Sequence, residues 1–256
     1  MCTIFFGILY LRFLIIRKYN LSDMFRKNGT IMMEIMKENT ACKYLSLDKT
    51  IAAPLFETTI SFHCAIRDLS TFIYSLAQTL PKDRFYSPGE NIWIAKSATI
   101  APTAQINAPC IIDELAEIRH CAYIRGSAVI GKRCVVGNST EIKNSILFDC
   151  VQVPHYNYVG DSILGYKAHL GASAITSNVK SDKSEVKANY PDCAYPTGMK
   201  KLGAIVGDEC EIGCGAVLNP GTVIGNNTTV YPLSFVRGHI PPYTIMKNDG
   251  SFVSKY

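Results

Sequence analysis

Residues 94–142, IAKSATIAPTAQINAPCIIDELAEIRHCAYIRGSAVIGKRCVVGNSTEI, decide the fold. A branched aliphatic side chain occupies every sixth position of this stretch without a break. These positions are Ile94, Ile100, Ile106, Ile112, Ile118, Ile124, Ile130, Val136 and Ile142. A small residue follows four positions after each of the first eight, at Ala98, Ala104, Cys110, Ala116, Ala122, Ala128, Cys134 and Thr140. The chain therefore repeats a unit of six residues with one branched and one small position.

A period of six fits neither an amphipathic helix, whose period is 3.6, nor an alternating strand, whose period is 2. It fits a triangular prism in which each unit is one short strand followed by a corner. Three units then form a coil of about 18 residues, and the branched side chains stack along the axis where successive coils lie about 4.8 Å apart. The pattern predicts an all-β parallel β-helix of hexapeptide repeats.

The same phase returns near the C-terminus after an interruption. The returning positions are Val206, Ile212, Leu218, Ile224, Val230 and Val236. Between the two blocks, Leu147, Val153, Val159, Leu164 and Leu170 continue the count with single-residue slips after Ile142 and Val159. Residues 90–248 are therefore predicted to form the β-helix. Residues 179–203 are polar and break the period, which predicts a loop extruded from one corner.

The segments flanking the β-helix carry different signals. Residues 1–35 form an apolar extension of uncertain status, interpreted as a gene-model extension with a short membrane anchor as the alternative. Residues 36–89 are predicted to be a helical N-terminal segment, because 62–79 has helical apolar spacing and Pro81 ends it. That helix either caps the open end of the prism or docks beside it, and docking is favoured. Residues 249–256 are assigned as a C-terminal tail.

Composition narrows the functional class. The net charge is +5, but the basic residues are dispersed, which disfavours a nucleic-acid partner and suits a small anionic substrate. The ten cysteines include no CxxC pair, and Cys110 and Cys134 occupy small-residue positions of the repeat. We interpret them as buried thiols, predict no metal site, and expect a reducing cytoplasmic location.

Three outward side chains suggest chemistry. Arg125 and Lys143 each follow an inward aliphatic residue and are 18 residues apart, so they should lie one coil apart on the same corner. Two stacked cations can bind a phosphate, although two solvated surface charges are the alternative. His155 lies between the inward Val153 and Val159 and should project outward, where an imidazole can act as a general base for acyl transfer or be inert.

The chain resembles a known family over about residues 90–248. The motifs that carry the resemblance are IRGSAVIG (124–131), STEIKNS (139–145), VPHYNYVGDSILG (153–165), LGASAITSN (170–178) and KLGAIVGD (201–208). They are similar to the hexapeptide-repeat acetyltransferase domain of bifunctional sugar-1-phosphate uridylyltransferase/glucosamine-1-phosphate acetyltransferases. The resemblance implies a left-handed β-helix, a homotrimer, and acetyl-CoA as co-substrate. No uridylyltransferase domain precedes the repeats, so only the acetyl-transfer half is expected.

The resemblance also implies roles for individual residues. It places the catalytic base at His155, phosphate binding at Arg125 and Lys143, and further substrate contacts at Tyr158 and Asn178. A substrate lysine of the long loop matches Lys187, with Lys183 as its competitor.

Acetyl-CoA contacts match Ala172 and Cys214, where Cys214 replaces a serine of the family. His169 and Val179 also depart from the family pattern, which leaves the sugar epimer open.

These features predict an N-acetyltransferase for an amino-sugar 1-phosphate, with glucosamine 1-phosphate as the leading acceptor. Galactosamine 1-phosphate and a sugar hydroxyl are alternative acceptors on the same fold. A different alternative is a non-catalytic β-helix subunit that partners a separate nucleotidyltransferase. The presence of His155, Asn178, Arg125 and Lys143 favours the enzyme, since a scaffold has no need of them.

Overall fold

The computed structural model describes residues 43–59, 61–191 and 194–255. The apolar extension 1–35, with its two interpretations, lies outside the described residues. The described chain forms a parallel β-helix with three faces, as the repeat predicts, and the helix is left-handed, as the family resemblance implies.

Each face of the prism is one sheet. The first sheet contains β1 (Phe85–Gly89), β2 (Ile92–Ala95), β5 (Cys110–Ile112), β8 (Ala128–Ile130), β11 (Ser145–Leu147), β14 (Ile163–Leu164), β19 (Ala204–Val206), β22 (Thr222–Ile224) and β25 (His239–Ile240). The second sheet contains β3 (Thr99–Ile100), β6 (Glu117–Ile118), β9 (Val135–Asn138), β12 (Gln152–His155), β15 (His169–Leu170), β20 (Glu211–Ile212), β23 (Thr229–Val230), β26 (Thr244–Met246) and β27 (Phe252–Ser254). The third sheet contains β4 (Gln105–Ile106), β7 (Tyr123–Ile124), β10 (Glu141–Lys143), β13 (Tyr158–Gly160), β16 (Ile175–Thr176), β21 (Val217–Leu218) and β24 (Phe235–Val236). Neighbouring strands are parallel except at the two terminal additions, β1 on β2 and β27 on β26.

Strand register confirms the repeat and its slips. Ile118 pairs with Val136, so this coil has 18 residues. Ile142 pairs with Val159, so the coil that contains the first slip has 17. The inward aliphatic side chains from Ile112 onward are almost completely buried and form the axial core.

Corners between the second and third sheets share one backbone conformation. The residues that turn the chain there have positive φ angles of 52° to 60°, at Cys121, Ser139, Tyr156 and Ser173. Such left-handed values are uncommon outside glycine. Their recurrence on four successive coils gives these coils the same corner, so the residues immediately before them occupy equivalent positions along one edge of the prism.

A second apolar row lies on the outer surface of the first sheet. Its side chains are buried although they point away from the axis: Ile111, Val129, Ile146, Ile163, Ile205 and Val223. Helix α1 (Ala53–Thr58) precedes the longer α2 (Phe62–Ala77), which packs against β5, β8 and β11. The helix therefore docks beside the prism instead of capping its end. Docking there is favourable because it buries this row, which would otherwise leave a continuous apolar stripe in water.

The loop predicted at 179–203 leaves the prism, and part of it forms a hairpin of β17 (Val186–Asn189) and β18 (Ala194–Met199). Tyr190 stacks on Phe62 of α2, with ring centroids 6.3 Å apart. On the other side, the N–H of Asn189 donates to the carbonyl of Gly221 over 3.0 Å. The loop is thus held between α2 and the β-helix.

His63 connects the hairpin to α2 and makes stability depend on pH. Its ring lies 5.3 Å from that of Tyr195, and burial, followed by the charge of Arg67, lowers its pKa from 6.5 to about 4. Because the folded pKa is below the unfolded value, the contribution is present above pH 6.5 and is lost as pH falls toward 4. We expect the free energy of unfolding to fall by up to about 3 kcal/mol across that window.

Urea unfolding at pH 7.5 and pH 4.5 measures this effect. His63→Phe should flatten the pH dependence, whereas His120→Gln, a change at an exposed histidine, should leave it unchanged. An identical slope in His63→Phe and the native chain would contradict the assignment.

Candidate functional site

The candidate site spans two corners of the third sheet. The entry corner is the edge where the chain enters the sheet, and it carries His120, Asn138, His155 and Ala172 on successive coils. The exit corner is the edge where the chain leaves the sheet, and it carries Arg125, Lys143, Gly160 and Ser177 on successive coils. Because the strands between these corners are two or three residues long, side chains from both can reach one bound molecule.

His155 is the last residue of β12 and pairs with Asn138. Its N–H donates to Oδ1 of Asn157 over 3.1 Å, and its carbonyl accepts the N–H of Ser173 over 3.0 Å. The imidazole is exposed, and its ring nitrogens form no hydrogen bond with any described residue. The main chain is therefore fixed while the ring is available to a ligand.

Asn157 is a supporting residue that the sequence analysis did not identify. It is buried, and its amide donates to the carbonyls of Gly171 and Ala174 over 2.8 and 3.0 Å. A buried amide with these partners stabilises the turn that follows His155. Its role is to hold the corner, since it does not face the open surface.

Tyr158 lies on the outer face of β13 between the two corners. Its hydroxyl accepts a hydrogen bond from Nδ2 of Asn178 over 3.1 Å. Burial, and then the negative charges of Asp161 and Glu141, raises the pKa of Tyr158. A tyrosine hydroxyl is already protonated at neutral pH, and the raised pKa keeps it so. Its proton is therefore available to an acceptor on a ligand.

The exit corner places Arg125 and Lys143 one coil apart. The N–H of Arg125 donates to the carbonyl of Ile142, the residue before Lys143, over 2.8 Å. Each cation also has a carboxylate partner: Nη1 of Arg125 lies 2.8 Å from Glu141, and Nζ of Lys143 lies 2.9 Å from both oxygens of Asp161. These carboxylates relieve the repulsion between the stacked cations, so repulsion alone does not require a phosphate here.

Asp161 is the centre of a network that the sequence analysis missed. Its carboxylate is 4% exposed and accepts hydrogen bonds from Lys143, from Asn144 over 2.8 Å and from Asn178 over 2.5 Å. Asn144 and Asp161 have φ angles of 46° and 49°, a region in which Asn and Asp are enriched. The carboxylate thus fixes the positions of Lys143 and Asn178, and through Asn178 that of Tyr158.

The entry corner continues beyond His155 toward the C-terminal coils. The N–H of Gly215 donates to the carbonyl of Ala172 over 2.8 Å, and the N–H of Leu233 donates to the carbonyl of Cys214 over 2.8 Å. His155, Ala172 and Cys214 therefore follow one another on successive coils along one edge. A long, thin ligand could lie along this edge with one end at His155.

A groove of about 510 Å³ opens beside Asn178 on the exit corner, between the β-helix and the extruded loop. Lys187 and Val179 line it, whereas Lys183 does not. His169 lies elsewhere, on β15 of the second sheet, where Nδ1 pairs with Glu211 over 2.8 Å.

Within residues 43–59, 61–191 and 194–255, no three His, Cys, Asp or Glu side chains are grouped as metal ligands. No helix in those ranges has the length and apolar character needed to cross a bilayer. Cys110 and Cys134 are buried as predicted, and burial raises the pKa of Cys110 to about 12.

The repeat, the three parallel sheets and the polar residues on one edge define a hexapeptide-repeat protein of the left-handed β-helix class. Residues 106–190 match the model of the GMPPB C-terminal domain, and residues 203–238 match that of the bacterial transferase hexapeptide (six repeats). The chain is 30% identical over 158 residues to the uncharacterized acetyltransferase YaiX of Escherichia coli, covering 62% of this chain and 68% of that protein. The chain belongs to the hexapeptide-repeat acetyltransferase family.

The chain is also similar to a bifunctional protein and, more distantly, to a solved structure. It is 38% identical over 140 residues to the bifunctional protein GlmU of Methanococcus maripaludis, which covers 55% of this chain and 34% of that protein. The chain thus spans only about a third of the length of that bifunctional relative. Among solved structures, a variant of perosamine N-acetyltransferase from Caulobacter crescentus, with CoA and GDP-perosamine, is 17% identical with a TM-score of 0.32, covering 63% of this chain and 55% of that one.

Proposed function

We propose that the chain is an acetyl-CoA-dependent N-acetyltransferase for an amino sugar that carries an anomeric phosphate, with glucosamine 1-phosphate as the leading acceptor. The observation that carries this proposal is the position of His155. Its unpaired imidazole stands at the head of the edge formed by Ala172 and Cys214, and it faces the same side of the prism as the polar network around Asp161.

In the proposed reaction, a ring nitrogen of His155 accepts a proton from the sugar amine as the amine nitrogen attacks the thioester carbonyl. The carbon–sulfur bond then breaks, and the imidazolium returns its proton to the departing thiolate. The products are the N-acetylated sugar and coenzyme A. The backbone N–H of Ala172 would stabilise the oxyanion of the tetrahedral intermediate, because the N–H groups of Gly171 and Ser173 already donate to backbone carbonyls.

Acetyl-CoA would lie along the entry corner, past Ala172 and Cys214. This edge is regular, because each coil repeats the same turn. A homotrimer, in which a neighbouring prism covers the other side of the cofactor, is part of the proposal. Its basis is the family resemblance, and light scattering of the purified chain tests it.

The phosphate would bind at the exit corner on Arg125 and Lys143, with Lys187 reaching from the loop. The Arg125–Glu141 pair is solvent-exposed, and such pairs contribute about 0–1 kcal/mol. A phosphate can therefore replace Glu141 as the partner of Arg125 at little cost. Lys143 retains one ammonium proton for the phosphate while two contact Asp161.

Thiol release from acetyl-CoA tests the proposed function. The panel consists of glucosamine 1-phosphate, galactosamine 1-phosphate and the two unphosphorylated sugars. We expect release with a phosphorylated amino sugar and much slower release without the phosphate, because the exit corner would then lack its ligand. Failure of every phosphorylated amino sugar to release thiol would overturn the proposal.

A further inference from the structure

The side chains that line the groove on the exit corner carry more positive than negative charge. Three cations line it, Lys180, Lys187 and Arg237, together with one acid, Asp182. Lys180 lies 3.6 Å from Asp182, whereas Lys187 and Arg237 form no ion pair with any residue in the described ranges.

This arrangement differs from the pair on the neighbouring coils. Arg125 and Lys143 each already contact a carboxylate, so an anion that binds them must compete with it. Lys187 and Arg237 have no such competitor among the described residues. An anion longer than a single phosphate would gain most by extending from Lys143 into the groove.

The groove also has an exposed aromatic wall. Phe235 on β24 lines it and is 65% exposed, an unusual state for so large an apolar side chain. A flat base can stack on such a ring, and stacking of this kind contributes to binding regardless of which base is present. The volume of about 510 Å³ lies in the range of small-molecule sites.

Lys187 is held in position by the main chain. A Cβ atom placed on Gly221, whose φ angle is 77°, would meet the carbonyl oxygen of Lys187 at 1.9 Å. Only glycine permits this close approach of β17 to the β-helix. The adjacent hydrogen bond from Asn189 to Gly221 fixes the strand in the same place, so Lys187 projects from a rigid element.

We propose that this groove binds the nucleoside diphosphate group of the acceptor, with the phosphates on Lys187 and Arg237 and the base against Phe235. The inference rests on the proposed function and extends it. The amino sugar would lie near Asn178, and the nucleoside diphosphate attached to the sugar would occupy the groove.

The location of the groove separates this ligand from coenzyme A, which also carries a nucleotide. Ser177 and Asn219, which line the groove, follow strands β16 and β21. Ala172 and Cys214 precede the same two strands, on the opposite edge of the third sheet. A coenzyme A molecule along the entry corner therefore leaves the groove open.

Titration calorimetry of the full chain without acetyl-CoA tests the inference, with UDP, GDP, inorganic phosphate and coenzyme A as separate titrants. We expect UDP or GDP to bind at least tenfold more tightly than phosphate, and we expect coenzyme A not to displace it. Lys187→Ala and Arg237→Ala should each weaken nucleotide binding about tenfold, and Phe235→Ser about 5- to 100-fold. Lys183→Ala removes a lysine of the same loop outside the groove and should leave binding unchanged.

Four results would overturn the inference: no binding of either nucleotide, phosphate binding as tight as nucleotide binding, displacement of the nucleotide by coenzyme A, or equal nucleotide binding by Phe235→Ser. A change in the oligomeric state of Phe235→Ser, measured by light scattering, would also count against it, because Phe235 would then belong to a subunit contact. Since no acetyl transfer is measured, these results are independent of whether glucosamine 1-phosphate is a substrate.

Discussion

Replacement of His155 by alanine should lower the rate of acetyl transfer about 10²- to 10⁴-fold, the usual contribution of a general base. The fold of the variant should be unchanged, because the ring forms no hydrogen bond with the described residues and the main chain of the corner is held by Asn157 and Ser173. Binding of acetyl-CoA should also persist, since its proposed site lies on the coils that follow. Stopped thiol-release assays give the rate, and calorimetry gives the affinity for acetyl-CoA.

His120 offers a matched control for this experiment. It stands at the equivalent corner position two coils before His155, immediately before Cys121, which has the same left-handed conformation as Tyr156. Its ring is already engaged, with Nδ1 2.7 Å from the hydroxyl of Thr103 and Nε2 3.2 Å from the thiol of Cys121. His120→Ala should therefore retain full turnover. Equal rates in His155→Ala and His120→Ala would remove His155 from the mechanism.

The sequence was sufficient to predict the prism because its core obeys a strict period. Inward positions must be filled on every coil, so each coil repeats the same constraint, and Ile118 opposite Val136 is one instance of many. The strict period also makes the single-residue slips detectable in the sequence. A shortened coil changes the spacing from 18 to 17 residues without changing which side chains face the axis, as Ile142 opposite Val159 shows.

The sequence also indicates which side of the prism α2 covers, although the expectations drawn from the repeat did not include this. Ile111, Val129, Ile146 and Ile163 stand next to inward residues and point outward, yet all are apolar. An outward apolar row on one face requires a cover, and α2 is the amphipathic element available. The outward apolar row therefore supports docking of α2 beside the prism over capping of its end.

The sequence predicts the polar network around Asp161 only in part. Asn144, Asp161 and Asn178 are separated by 17 residues each, which is the length of the coils in this region, so their positions on one corner follow from the count. What the count does not determine is the direction of each side chain. Whether Asp161 contacts Lys143 or solvent depends on side-chain rotamers and local burial, which vary within a single repeat unit.

Replacement of Asp161 by asparagine should lower kcat/KM for the sugar acceptor about 10- to 100-fold while leaving KM for acetyl-CoA unchanged. The native carboxylate accepts hydrogen bonds on both oxygens, from Lys143 on each, from Asn144 on one and from Asn178 on the other. An amide replaces one of these oxygens by a donor, so at least two donors would face another donor. Unmade bonds of this kind to a charged group cost about 1.5–3 kcal/mol.

A double-mutant cycle with Lys143→Met distinguishes positioning from a general loss of stability. If Asp161 acts by holding Lys143, then the double variant should be scarcely worse than either single variant, because both disrupt the same contact. Asp208→Asn is the control for stability: that carboxylate is also buried at a corner, but it accepts the N–H groups of Ser46 and Tyr166, away from the third sheet. It should lower the unfolding temperature without changing acceptor kinetics. Fully additive losses in the cycle would show that Asp161 does not act through Lys143. An equal loss in Asp208→Asn would show that Asp161 serves the fold and not the acceptor.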